Sequence, residues 1–274
     1  MENYISKNIR HWLMNRPMDK FTAEFNQLNK VIWHHPVRLD YDSKSQTITV
    51  DDGHRQFSIC RNRRVQRYYN GIDVFLKKLC FDYMIDNIPL TRGDVVIDCG
   101  ANVGEVSVGL KNRQPDIRII AVEPEELEAN CADLNVFGGA RVTLRQALWN
   151  EDTTLRFYSA ADTADSSVFE TAGTTEVKEV KAVRLDTLLS ASNVSRVRLL
   201  KLEAEGAEPE ILEGAESWLS RIDYIAADLG PERGLKQQQT ATPAINYLLA
   251  RGFDLIDMRF DRVVCLFKNR LTPI

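Results

Sequence analysis

Apolar residues recur at helical spacing at the start of the chain, at Ile5, Ile9, Trp12 and Leu13, then at Phe21, Phe25 and Leu28. Pro17 interrupts the run, so the pattern predicts two helices within residues 3–32. Residues 37–60 switch to alternation. Three short stretches place apolar side chains at every second position, separated by turns at 42–44 and 52–53, which predicts a small antiparallel meander. A basic run at 61–67 follows, and then a helical pattern over 72–88.

From Gly93 onward, short apolar stretches alternate with helical ones. Strands are predicted at 95–98, 118–123, 141–146, 197–203 and 224–228. Helices are predicted at 104–112, from Pro124 to about 136, at 207–219 and at 242–251. Continuously apolar strands separated by helices imply a parallel sheet covered on both faces. Residues 253–258 and 262–267 have only three residues between them, which suits an antiparallel hairpin. Residues 153–158 and 177–184 read as extra strands flanking a polar insertion at 159–175. The expected architecture is a Rossmann-like α/β domain over 68–274 behind an N-terminal extension over 1–67.

Bulk properties narrow the classes. Hydrophobic content of 44% and charged content of 27% are ordinary for a globular chain of 274 residues. No stretch approaches the length needed to span a bilayer, and the first residues do not read as a secretory signal, so a cytoplasmic protein is expected. The five cysteines are widely spaced with no C-x-x-C, which argues against a disulfide framework or a cysteine zinc site. The net charge of -4 combines a basic first 70 residues with an acidic remainder, a poor partner for nucleic acid. The amphipathic N-terminal helices offer a surface for a homodimer.

In an open parallel sheet, ligands bind beyond the carboxyl ends of the strands. The first of these strands ends in Asp98-Cys-Gly-Ala-Asn-Val-Gly104. Gly100 lets the backbone pass close to a ligand, Ala101 and Asn102 complete the turn, and Gly104 starts a helix whose N-terminus suits a carboxylate. Asp98 suits an ammonium group. Glu123, followed by Pro124, ends the next strand, where a carboxylate can take both ribose hydroxyls. A pyrophosphate site wants G-x-G-x-x-G; the Gly100-x-x-x-Gly104 spacing fits an adenosine ligand without pyrophosphate. Ala147, just past the third strand, is a further expected cofactor contact. Glu203 and Glu205 stand at the end of the fourth strand, near the expected reacting group. Glu208 falls in a first helical turn, where an acid favours the dipole.

Asp98-Cys-Gly-Ala-Asn-Val-Gly-Glu105, Glu123-Pro124, Leu185-Asp-Thr-Leu188 and Lys201-Leu-Glu-Ala-Glu-Gly-Ala-Glu208 together resemble the FkbM family of methyltransferases. Arg67-Tyr-Tyr-Asn-Gly-Ile72 and Leu229-Gly-Pro-Glu-Arg-Gly234 extend the likeness. The resemblance implies the seven-stranded class I methyltransferase sheet, S-adenosylmethionine as cofactor, and O-methylation of a sugar, glycan or natural-product hydroxyl. The chain departs from the family at Glu203, where an Asp is usual. All four histidines precede residue 55, so a carboxylate is the expected base: Glu205, with Glu203 as second choice or as binder of the cofactor ammonium. Tyr68, Tyr69, Asp165, Ser166 and Lys201 are expected to line the acceptor. No spacing motif demands a metal, and none is expected. The competing readings are a nicotinamide-dependent oxidoreductase and a non-catalytic adenosine-binding module.

Overall fold

A computed structural model of the chain describes residues 4–159 and 166–271. The chain divides into two compact units, Met1–Lys77 and Lys78–Ile274, a later division than the one read from the sequence.

In the first unit, α1 (Tyr4–Met14) and α2 (Met18–Leu28) part at Pro17, whose ring cannot continue a helix. Strands β1 (Arg38–Asp42), β2 (Thr47–Asp51) and β3 (Gln56–Ile59) form the antiparallel meander. Phe21 and Phe25 of α2 are buried, as are Leu39, Ile48, Val50, Phe57 and Ile59 of the sheet. Asn26 ties helix to strand, donating to the Leu39 carbonyl at 2.7 Å and accepting the Leu39 N–H at 2.9 Å. The basic run forms a 3-10 turn, Asn62–Tyr68, with Arg64 buried.

Tyr68 and Tyr69, expected at the acceptor, serve as packing groups within this unit. The Tyr68 ring lies 5.5 Å from both Phe57 and Phe75, and Tyr69 stacks on His35 at 4.0 Å. Helix α3 (Ile72–Asp82) is shorter than its pattern suggests, because Met84 turns left-handed at φ 54° and only a 3-10 turn, Ile85–Asn87, follows.

The second unit carries β4 (Val95–Cys99), α4 (Glu105–Arg113), β5 (Arg118–Val122), α5 (Glu126–Phe137), β6 (Ala147–Leu148), β7 (Thr153–Ser159), β8 (Glu176–Val183) and α6 (Leu185–Ser190). It continues with β9 (Val197–Leu202), α7 (Glu208–Glu213), β10 (Ile222–Asp228), β11 (Pro231–Arg233), β12 (Gln238–Gln239), α8 (Ala241–Ala250), β13 (Phe253–Arg259) and β14 (Val264–Asn269). Its main sheet has the order β13-β14-β10-β9-β4-β5. Strands β5, β4, β9 and β10 are parallel, and β14 runs against β10 and β13, so the terminal hairpin forms as predicted.

The seventh strand does not form among the described residues. Residues 141–146 make a single bridge, Leu144 to Val122. The Asp133 carboxylate takes the N–H groups of Val142 and Thr143 at 3.0 and 2.8 Å, and a backbone donor spent on a side chain is lost to a ladder. The core sheet is therefore mixed and six-stranded. Strands β6, β8 and β7 form a separate small sheet, with the buried Ala147 paired to Ala182. No helix among the described residues is long and apolar enough to cross a membrane.

Candidate active site

Parallel register brings four acids to one edge. Cys99 pairs with Val122 and with Leu202, and Leu202 pairs with Ala227. Asp98, Glu123, Glu203 and Asp228 therefore end neighbouring strands on the same side of the sheet, where ligands of such folds bind.

The turn after β4 is tightly held. Gly100 and Ala101 both donate their N–H groups to the Val122 carbonyl at 3.0 Å. Gly100 has φ 69°, and a Cβ built on it would lie 1.8 Å from the Glu203 carbonyl oxygen. Its missing side chain thus admits the neighbouring backbone, where the sequence suggested a ligand. Gly104 likewise makes room for α5, since its Cβ would meet Val136 at 2.6 Å. The first turn of α4 holds a buried acid of the chain's own, Glu105.

Asn102, at φ 49°, donates its N–H to Glu123 Oε2 at 2.8 Å, and Glu125 donates its N–H to Glu123 Oε1 at 2.9 Å. Helix α5 starts at Glu126 and not at Pro124, because Glu125 is extended (φ -77°, ψ 121°); Pro124 is half-buried before it. Burial, helped by the charge of Glu128, pushes the Glu123 carboxyl up to about 7 against these two bonds.

Lys201 is the post under the turn. It is 1% exposed, and its Nζ lies 2.8 Å from the Gly100 carbonyl, 3.2 Å from the Cys99 carbonyl, 3.2 Å from Asp98 Oδ1 and 3.1 Å from Glu203 Oε2. Burial alone would discharge it, but Asp98 and Glu203 outweigh burial and keep it an ammonium ion. An ammonium has three donors, so Lys201 is fully engaged within the protein. That corrects its expected role at the acceptor.

Asp98 is wholly buried; Ser107 donates to its Oδ2 at 2.6 Å, while its Oδ1 has the Lys201 charge beside it but no hydrogen bond. The Asn102 side-chain oxygen is also buried without a hydrogen bond. These two acceptors, Asp98 Oδ1 and the Asn102 side-chain oxygen, fit a ligand that brings ammonium and hydroxyl donors. Cys99 is no nucleophile, because burial raises its thiol well above the usual range.

Glu203 is clamped between Lys201 and Arg262, the latter at 2.9 Å. Burial would raise its pKa, but the two cations pull it down to about 2. Arg262 also pairs with Asp228 at 2.5 Å. Tyr83 is wholly buried, with its ring 5.6 Å from Lys201 Nζ and 5.8 Å from the Arg262 guanidinium.

The next residues turn sharply. Glu205 has φ 51° and Gly206 φ 97°. Ser167 donates to the Glu205 carbonyl at 2.8 Å, and Arg233 donates to that of Gly206 at 3.0 Å. Glu208 accepts from the Ala204 N–H at 2.9 Å and from Thr240 at 3.0 Å, which makes it the brace of this turn and of the α7 start.

Ser166 lies against the Glu125 carboxylate, which Lys178 and Ser159 also hold. Asp165 lies outside the described residues. The sequence reading did not bring Tyr83, Arg262 or Glu232 to this edge. Only the acid at the end of the apolar 222–228 run, Asp228, carried a signal comparable to that of Asp98.

The methyltransferase FkbM domain model matches residues 98–255. The chain is 23% identical over 258 residues to the AMB antimetabolite synthetase AmbE of Pseudomonas aeruginosa, covering 79% of this chain but only 12% of that protein's length. It is 25% identical over 182 residues to the 31-O-demethyl-FK506 methyltransferase FkbM of Streptomyces tacrolimicus, covering 54% of this chain and 69% of that one. Among solved structures, the methyltransferase FkbM from Methylobacillus flagellatus KT superposes with a TM-score of 0.48 at 14% identity, over 90% of this chain and 60% of that one. The nicotinamide reading gives way, and the chain belongs to the FkbM family of S-adenosylmethionine-dependent methyltransferases.

Proposed function

We propose that the protein methylates a neutral hydroxyl on a sugar, a glycan or a natural-product scaffold. One observation carries this reading: the strand edge beyond Lys201 gathers Glu203, Asp228 and Glu232, and Arg262 is the cation paired to the first two. Such an edge repels a carboxylate acceptor and suits an uncharged group that must shed a proton. The Streptomyces relative is a 31-O-demethyl-FK506 methyltransferase, which puts its methyl group on an oxygen.

When bound, the cofactor supplies a methyl group activated on sulfonium sulfur. In this reading Asp98 and Glu203 accept from its ammonium group and Glu123 accepts from its ribose hydroxyls. Gly100, Ala101, Asn102, Gly104, Pro124 and Ala147 shape the turn and wall around it. Glu203, with a carboxyl near 2, is too weak a base for an alcohol. Glu205, the base expected from the sequence, is kept in this reading as the residue that holds the acceptor hydroxyl, with Ser166 on the acceptor side.

The test is transfer of tritiated methyl groups into a fractionated cell extract. Label is expected in uncharged material and should survive mild base, as an ether does. Label released by base as methanol would mark an ester and refute the hydroxyl reading.

Glu123 makes cofactor binding pH-dependent. Its ionised form is the better acceptor for ribose hydroxyls, and it loses that charge as pH falls through about 7. The affinity for S-adenosylhomocysteine should weaken by up to about tenfold per pH unit below that point. Calorimetric titration between about pH 5.5 and 8.5 reads this directly. The same raised carboxyl favours the folded state at low pH, and that stability is lost as pH rises through about 7. Glu123→Gln should flatten both profiles.

A further inference from the structure

We propose that Glu232 is the base that receives the acceptor's proton, an assignment that rests on the hydroxyl-methylation reading above. Glu232 lies in β11, just past the ligand-side end of β10. A Cβ placed on Gly230 would lie 3.1 Å from the Arg262 carbonyl oxygen, 3.4 Å from Asp228 Oδ1 and 4.0 Å from Glu232 Oε1. The two carboxylates are thus neighbours beside Gly230, at the ligand-side end of β10.

The neighbouring cations are spoken for. Lys201 serves Asp98 and Glu203, Arg262 serves Glu203 and Asp228, and Arg233 serves Glu210. The Glu232 carboxylate has no hydrogen bond or ion pair with any described residue. Burial, then the charges of Asp228, Glu203 and Glu208, push it up to about 8, opposed by Arg262. A base serves best when its proton affinity lies near the working pH. Among the described acids of this edge, Glu203 is far below that range.

Tyr83, fully buried, faces the Glu203 carboxylate, which lies between it, Lys201 and Arg262. Glu203 is therefore committed within the protein, and Glu232 is not.

In the step itself, the acceptor oxygen forms its bond to the methyl carbon as the carbon–sulfur bond breaks, and that bond's electron pair remains on sulfur. The proton of the acceptor hydroxyl moves to Glu232 Oε, which later returns it to solvent.

Wild type and Glu232→Gln are compared with tritiated-methyl cofactor and the uncharged fraction of a cell extract as acceptor pool. The wild-type rate should rise with pH through about 8. The substitution should lower the rate about 100-fold or more and abolish that rise, with S-adenosylhomocysteine affinity unchanged within about threefold. Carbon NMR of glutamate-labelled protein gives a readout without turnover: the carboxyl resonance titrating near 8 should vanish in the variant, and the one near 7, from Glu123, should remain. A variant that keeps transfer within about threefold, or a resonance near 8 that persists in it, overturns the role of Glu232 alone. A wild type that labels no uncharged acceptor overturns the hydroxyl reading, and the base with it.

Discussion

Lys201→Met should lower the melting temperature of the unliganded protein by roughly 6–20 °C, from a loss of about 3–5 kcal/mol at about 2–4 °C per kcal/mol. The substitution keeps length and bulk but removes the ammonium from a site that is 1% exposed. Asp98, wholly buried, would then keep Ser107 on one oxygen and nothing on the other. An uncompensated buried carboxylate costs far more than a pair is worth, because solvent cannot reach it. The carbonyls of Cys99 and Gly100 lose a donor in the same stroke. Pairing the change with Asp98→Asn removes the orphaned charge and should restore more than half of the lost stability. Thermal melts followed by circular dichroism decide it: a single variant melting within about 2 °C of wild type would refute the post-like role of Lys201.

That role shows what the sequence could and could not tell. The ligand edge was readable because each apolar strand run stops at an acid, and strand ends in a parallel sheet share one side. Asp98 and Glu123 stood out in this way, and so did the glycine spacing. Lys201 looked like any strand lysine, since its partners Asp98 and Gly100 lie in another strand and become neighbours only through the β4–β9 register. Residues 141–146 had the apolar content of a strand, but Asp133, from the preceding helix, captures two of their N–H groups. Periodicity does not record where a distant carboxylate will land. Arg262 stood at the start of a predicted strand and Glu232 in a polar stretch after one, and only folding brought them against Asp228 and Glu203. Tyr68 and Tyr69 stand in a stretch that resembles the family, yet the structure stacks them on Phe57, Phe75 and His35, contacts that the sequence pattern does not record.

Gly100→Ala should be more damaging still, and should remove soluble folded protein or cofactor binding altogether. The added methyl would sit 1.8 Å from the Glu203 carbonyl oxygen, well inside any tolerable contact, and the obstacle is backbone. Relief requires β4 and β9 to part at Cys99 and Leu202, where Glu203 donates its N–H to the Cys99 carbonyl at 3.2 Å. That movement would also pull the Gly100 and Cys99 carbonyls off Lys201 and loosen the clamp on Glu203. The positive φ adds about 1–2 kcal/mol for any residue with a Cβ. Gly93→Ala isolates this second cost, since Gly93 has φ 84° and nothing within 4 Å of its Cβ position. The Gly93 variant should lose only about 1–2 kcal/mol in urea denaturation and keep S-adenosylhomocysteine binding. The Gly100 variant should lose more than about 4 kcal/mol, the range reserved for steric failure in a packed site. Equal losses in the two variants would mean that conformation alone, and not the approach of the Glu203 backbone, demands glycine at position 100.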